Sequence, residues 1–436
     1  MPALTDPVSV GGLELENRLY RAPLLECAGD GPDAVDRLVD ELEPAAASGA
    51  GLVCQGATVG RGEGGCAAPG MTQVHDPDFV EELSRLTERV HAQGGRIVMQ
   101  LEHGGLRSME TWHAGYRRDH PDLEQLALSR PRWQLRALDR LGLLSLSPCV
   151  FSTAEVRALA ADFGRAAARA VAAGYDGIHL AGANLGIVQQ FLSPCYNRRE
   201  DAFGGSRAAR IRFLELVHDE IHDRAGDVPL VTKVPAETAA SGLVRRQVDV
   251  ADTVAIAERL AALGYDAIAP ARTSTFWGMS IVRGRYPARA RQAEAFQDGD
   301  ADAFGSRRRA NAVALLNRLQ ARRFPAEPGW NADLCRRVRA AIDVPVMLEG
   351  GLRERGHIDG LLGDACDLAG LARPFYAEPR LPARLLEVDD GAAKICERCN
   401  NCTVPRVTGA DGVCRTPAVL ERRGDLEKTG AYDREN

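Results

Sequence analysis

Eight short apolar runs, at 19–23, 51–58, 96–102, 176–180, 229–234, 266–270, 345–349 and 367–371, punctuate the chain. Between them lie segments whose apolar residues recur at helical spacing. Such alternation is the signature of parallel strands joined by crossover helices. Eight is the number at which parallel strands close into a ring filled by their own side chains, so the expected fold is an α/β (β/α)8 TIM barrel. The segment before the fourth run is the clearest helix. Ser152 can cap it, Glu155 stands three residues on, Val156, Leu159, Phe163 and Ala167 keep the helical interval, and Gly174 ends it. Ahead of the first run, VSVGGLELENR reads as a β-hairpin turning at Gly11 and Gly12 and is expected to plug the bottom of the barrel.

Two stretches exceed a minimal barrel, residues 105–150 and 272–330, each after the C-terminal end of a strand. That edge carries the active sites of barrel enzymes, so the insertions are candidates for substrate walls or lids, or else for outer decoration and oligomer contacts. Within the second, Arg307, Arg308, Arg309, Arg318, Arg322 and Arg323 are dense, with Val313, Leu315, Leu316 and Leu319 among them. That spacing predicts the solvated face of an amphipathic helix rather than a phosphate track.

Composition narrows the function classes. The 436 residues are 45% hydrophobic and 26% charged, with a formal charge of -6, which fits a globular enzyme and offers no broad positive surface for nucleic acid. No apolar run approaches the roughly eighteen residues of a membrane span, and the opening MPALTDPVSV lacks the features of a secretory signal. A cytoplasmic location is the expectation. Of eleven cysteines, Cys27, Cys54, Cys66, Cys149, Cys195, Cys335 and Cys366 are scattered, as small buried hydrophobes are. Cys396, Cys399, Cys402 and Cys414 crowd together at C-x2-C-x2-C-x11-C spacing, which in a cytosolic protein points to a metal site. Four thiolates suit either a 4Fe-4S cubane or a tetrahedral zinc.

A bound phosphate needs close backbone N–H groups, a helix N-terminus and preferably a cation. MLEGGL, with Gly350 and Gly351, ends the seventh run, and LAGLARP, with Ala372 and Arg373, ends the eighth. Barrels commonly bind phosphate after those two strands.

In order along the chain, GGLELENRLYRAP, SGAGLVCQGAT, MQLEHGG, FLSPCYNRREDAFGGS, VPVMLEGG and DLAGLARPF resemble the successive motifs of the Old Yellow Enzyme family of FMN barrels, the NADH:flavin oxidoreductases, over about residues 5 to 385. The resemblance implies an FMN-binding barrel at 1–385 and a cysteine-bearing extension at 386–436. It implies that Ala22, Pro23 and Leu24 line the flavin with Gly56 and Ala57 beside it, and that Gln100 bonds the polar edge of the isoalloxazine. Lys233 stands where the family has an arginine facing the flavin N1 and C2 carbonyl, while Gly350, Gly351, Ala372 and Arg373 would serve the phosphate. A cation near N1 stabilises the negative charge left by hydride arrival.

The departures bear on chemistry. The family grips a carbonyl with a His-x-x-His or His-x-x-Asn pair and protonates carbon with a tyrosine, whereas LAGANLGIVQQF has Ala181, Asn184 and Gly186 at those positions. Asn184 is the surviving hydrogen-bonding member. With His103 it forms the catalytic candidate pair; His103 and Glu102, at the end of the third run, are candidates for a replacement acid or base, and Trp277 and Tyr286 of the long insertion could reach the flavin face. His179 reads as a satisfied core histidine.

The iron-sulfur branch of the family, that of 2,4-dienoyl-CoA reductase and trimethylamine dehydrogenase, carries four cysteines directly after the barrel. The resemblance therefore favours 4Fe-4S over zinc at Cys396, Cys399, Cys402 and Cys414. The expected function is hydride transfer between FMN and a small organic substrate, by family default as an ene-reductase. The alternatives are a dehydrogenase of an amine or ring substrate that passes electrons through the cluster, and a partner-dependent electron-transfer flavoprotein. NADH or NADPH as a second cofactor, an electron-carrier protein and a homo-oligomer are left open as partners.

Overall fold

The computed structural model describes residues 2–433 apart from 143, 243, 277, 388–394 and 404–406. Trp277 thus lies outside the described residues. The strands in chain order are β1 Val8–Val10, β2 Leu13–Leu15, β3 Leu19–Arg21, β4 Leu52–Val59, β5 Thr72–Gln73, β6 Arg96–Leu101, β7 Gln125–Ala127, β8 Pro148–Val150, β9 Gly177–Leu180, β10 Leu230–Ala236, β11 Ala267–Arg272, β12 Met347–Glu349 and β13 Leu368–Leu371. Eight of them pair in parallel in the order β11-β10-β9-β6-β4-β3-β13-β12. A single bridge, Ile268 to Val346, joins β11 to β12 and brings the ring round on itself. Each barrel strand falls within a residue or two of its run in the sequence.

The strands are apolar on both faces because both are covered, as in β4, whose eight residues are all buried. The inner layer comprises Tyr20, Leu52, Cys54, Val98, Val231, Ala267, Met347 and Leu368, and Val10 and Leu15 of the hairpin join it, so the hairpin does plug the ring. Gly11 and Gly12 make its turn at φ +57° and +80°, the left-handed region that a primed hairpin turn demands. The other faces pack on helices such as Thr153–Ala172, where Ser152 and Glu155 complete the predicted capping box.

One device recurs at the bottom edge: Asp176, Asp266 and Asp367 each precede a strand and accept the N–H of the neighbouring strand's Ile97, Leu230 and Val346 at 2.8–2.9 Å. These carboxylates pin the register where one strand starts beside the next.

The arginine-rich helix forms as Arg307–Arg323, but its packing differs from the expectation. Ala310 and Ala321 face inward, while Leu315, Leu316 and Leu319 are about half exposed. Helical spacing gives the stripe but not the side on which a neighbour lies.

Candidate functional site

At the C-terminal ends of the strands the ring opens into a cavity. Three groups of residues wall it. Pro23, Leu24 and Ala57 come from the ends of β3 and β4; Gln100, Glu102, Arg107, Ala181, Asn184 and Lys233 lie on or after β6, β9 and β10; Glu349, Gly350, Gly351, Leu352, Arg353, Gly370, Ala372 and Arg373 lie on or after β12 and β13. Ile281, Val282, Trp330, Cys396 and Arg398 close the rim.

The first wall is set by a kink in β4. Its register against β6 shifts between Gln55 and Thr58, and the Gly56 N–H turns to the carboxylate of Glu26 at 3.0–3.1 Å. A Cβ on Gly56 would stand 1.3 Å from the Leu24 carbonyl oxygen, so only glycine lets the two segments meet. Glu26 is in turn paired with the fully buried Arg21 at 3.0 Å, and Arg21 also pairs with Glu41 at 2.5 Å. Neither Ala22 nor Gly56 lines the cavity; Ala22 packs in the inner layer of the ring, its N–H bonded to the Leu371 carbonyl at 2.8 Å.

On the second wall, Gln100 Nε2 and His179 Nδ1 lie 3.0 Å apart. Burial, reinforced by Lys233, holds His179 far below its ordinary pKa and so neutral. It is a core histidine as expected but satisfied at one nitrogen only, since its buried Nε2 has no partner among the described residues. Lys233 Nζ pairs with Glu349 Oε2 at 2.5 Å, and Glu349 Oε1 accepts from the Tyr20 hydroxyl at 3.2 Å. The lysine thus stays at the mouth of the ring, tied past β11 to the end of β12.

The third wall is cationic. Gly350 and Gly351 take φ of +122° and +77° and present backbone beside Arg353, Arg373 and Arg398. Arg373 Nη2 donates to the Arg283 carbonyl at 2.7 Å, and its Nη1 donates to Asn400. Arg283 lies over the Trp330 ring, 4.1 Å from its centroid. Burial pushes the pKa of Arg283 and Arg353 down, the cost of gathering cations where water is scarce.

The cavity thus brings together Pro23, Leu24, Ala57, Gln100, Asn184, Lys233, Gly350, Gly351, Ala372 and Arg373. It does not include His103, whose ring faces Phe151 and a small space lined by Leu159 and Phe163, away from the cavity. Burial pushes its pKa down to about 3, and Nδ1 accepts from the Gly105 N–H. Tyr286 is likewise absent from the cavity and lies under Arg318, 4.9 Å from the ring centroid. Arg107, Glu349, Arg353 and Arg398 were not singled out from the sequence. Glu349 alone carried a signal, as an acid inside a buried apolar run.

An apolar second cavity adjoins the first and is lined by Cys396, Cys399, Cys402 and Cys414. Cys396, Arg373 and Arg398 line both. Burial pushes the Cys414 thiol up, and Cys399 Sγ is 3.0 Å from Thr416 Oγ1. Among the described residues no three His, Cys, Asp or Glu side chains converge closely enough to hold a metal ion. The donor set and the shared cavity nonetheless suit a thiophilic group.

The family model of the NADH:flavin oxidoreductase / NADH oxidase family matches residues 3–297. The chain belongs to that family. It is 31% identical to NADH:fumarate oxidoreductase of Klebsiella pneumoniae (strain 342) over 263 residues, 58% of this chain and 26% of that protein. It is 27% identical to 4,4'-dithiodibutanoate disulfide reductase of Rhodococcus erythropolis over 430 residues, 96% of each. The solved old yellow enzyme homologue from Zymomonas mobilis superposes with a TM-score of 0.60 at 21% identity, covering 88% of this chain and 93% of that one, a likeness of fold. The chain spans little more than half the length of several other curated relatives. No described helix is long and apolar enough to cross a membrane.

Proposed function

We propose that this chain is an FMN-dependent oxidoreductase that moves hydride between FMN and a small organic substrate, with a barrel at 1–385 and a cysteine extension at 386–436 that holds a 4Fe-4S cluster. The observation that carries the reading is one cavity running from Gln100 and Lys233 to Gly350, Gly351 and Arg373. FMN, when bound, supplies reversible hydride chemistry that no side chain offers. In this reading the Gly350 and Gly351 amides with Arg353, Arg373 and Arg398 bind the phosphate, since clustered cations and close backbone are otherwise unfavourable there. Gln100, oriented by His179, and Lys233, held by Glu349, orient the polar edge of the ring system. Pro23, Leu24 and Ala57 exclude water from one face. His103 is left out of the catalytic set because its ring lies on the helix side of β6, whereas Asn184 remains in it.

The cluster assignment rests on four thiols around one apolar space, and Cys396 on the partition between the two cavities makes electron passage short. Zinc would fill the same space without relaying electrons. Direction follows the family default, reduction of an activated C=C bond. Dehydrogenation of an amine or ring with electrons leaving through the cysteine cavity to a carrier protein is the second reading, favoured by that partition. Cytoplasmic placement and use of NADH or NADPH accompany both. Anaerobic stopped-flow separates them: an enone reoxidises the reduced flavin of an ene-reductase, whereas an amine bleaches the oxidised flavin of a dehydrogenase. Metal analysis with acid-labile sulfide tests the cluster, and zinc without sulfide would overturn it.

A further inference from the structure

Across the ring from the cationic phosphate wall, the ends of β6 and β9 carry a second polar group, Glu102, Arg107 and Asn184, all lining the main cavity. Arg107 Nη1 donates to Glu102 Oε1 at 3.0 Å. With the Asn184 amide oriented so that Oδ1 faces Arg107, that oxygen accepts from Nη2 at 2.9 Å and from Nη1 at 3.3 Å. The guanidinium is therefore fixed between two acceptors, and the Asn184 amide must aim its N–H donors elsewhere.

The backbone beneath is strained and held. Asn184 and Leu185 are consecutive non-glycine residues at φ +63° and +64°. Leu185 is clamped through its N–H to Gln189 Oε1 and through its carbonyl to Gln190 Nε2, both at 2.7 Å, and Gln190 Nε2 also reaches the Gly104 carbonyl at 2.7 Å. Strain that is maintained by neighbouring bonds at a cavity wall marks a functional constraint. Gly186 completes the arrangement. A Cβ there would lie 2.8 Å from Glu102 Oε1, so the carboxylate occupies the space that a side chain at 186, the family's tyrosine position, would enter.

Resting on the reading of the cavity as the FMN and substrate site, we propose that Glu102, Arg107 and Asn184 form a subsite that takes a substrate carboxylate and takes up one proton with it. Arg107 offers the planar fork that matches a carboxylate, and Asn184 adds a neutral donor. A carboxylate within reach of Arg107 also comes close to Glu102, and two carboxylates at such a distance do not both stay ionised. Binding of the anion therefore makes Glu102 take up a proton from solvent, which leaves that proton stored beside the substrate where the tyrosine is missing. The groups that face Glu102 agree. Arg107 and Lys233 pull its pKa down, but burial outweighs them and sets it above the ordinary range. His103, next along the chain, is neutral, and the Arg61–Asp162 pair, 3.4 Å apart, lines the small space behind.

The test is calorimetric titration of the FMN-loaded protein with benzoate, an unreactive carboxylate, in two buffers of different ionisation enthalpy from pH 6 to 9, with benzamide as the neutral control. Wild type is expected to bind benzoate with uptake of up to one proton. Glu102→Gln should keep binding and lose the uptake. Arg107→Gln should weaken benzoate about tenfold to a hundredfold, the effect of one charge-assisted hydrogen bond, with benzamide and FMN affinities little changed. Asn184→Ala should weaken both ligands severalfold, and it carries the test with Glu102→Gln if Arg107→Gln does not fold. Benzoate binding without proton uptake anywhere in that range, or benzoate affinity indifferent to Arg107, overturns the subsite. Failure of wild type to take up FMN at all instead overturns the reading of the cavity.

Discussion

Glu237 offers the sharpest energetic prediction. It follows β10 directly, is fully buried, and its Oε1 accepts from Gln189 Nε2 at 3.0 Å while Oε2 accepts from Ser193 Oγ and the Val248 N–H, each at 2.9 Å. Gln189 is also the residue that clamps Leu185, so this carboxyl anchors the strained wall of the cavity. Burial pushes its pKa up to about 7, and the three hydrogen bonds recover only part of the lost hydration. A carboxyl whose pKa is higher in the folded state stabilises the fold fully below its unfolded value and loses that contribution as pH rises through the folded one. The interval from an ordinary 4.5 to about 7, at about 1.36 kcal/mol per pH unit, is worth about 3 kcal/mol. The perturbation is Glu237→Gln, which keeps the shape and cannot ionise. Urea unfolding of both proteins at fixed excess FMN from pH 5 to 8.5 is the assay, and subtracting one from the other removes the other titrating groups. The stability of wild type relative to the variant should fall by most of that 3 kcal/mol across the range. A difference that stays flat, or rises with pH, would refute the assignment of a buried carboxyl that resists ionisation.

Other expectations follow from the same geometry. Arg373→Met should raise the Kd for FMN about tenfold to a hundredfold, read by quenching of flavin fluorescence, as expected for loss of a charge-assisted hydrogen bond. Gly56→Ala places a Cβ 1.3 Å from the Leu24 oxygen, so its thermal midpoint should drop by more than ordinary overpacking, about 1–3 kcal/mol, would cause. Arg21→Met leaves Glu26 buried without its cation and should cost about 3–5 kcal/mol in urea unfolding. Cys399→Ser should lower bound iron and sulfide while FMN stays stoichiometric; unchanged iron would remove that cysteine from the ligand set.

The barrel was legible because its strands are buried on both faces, which writes them as continuous apolar runs, and because Gly11, Gly12, Ser152, Glu155 and Gly174 mark turns and caps in local code. The phosphate end was legible for a similar reason, since Gly350, Gly351 and Arg373 follow strands directly. What lies beyond a strand end was harder to read. Period-two alternation past β6 puts Gln100 and Glu102 on the cavity side and His103 on the helix side, so the choice of Gln100 already implied that His103 points away. Arg107 enters the cavity only because the chain turns through a short 3-10 segment at Gly105–Arg107, which no periodicity announces. The leucines of Arg307–Arg323 face outward because the neighbours of that helix touch its alanines, a tertiary fact absent from the stripe itself.

The central claim is that a closed ring of strands holds FMN between Lys233 and Arg373. Equilibrium titration of flavin-free protein with FMN, followed by fluorescence quenching and by the visible spectrum, tests it most directly. One FMN per folded chain, bound with submicromolar affinity that falls in Arg373→Met, is the predicted result. A folded chain that leaves added FMN free in solution would contradict the account.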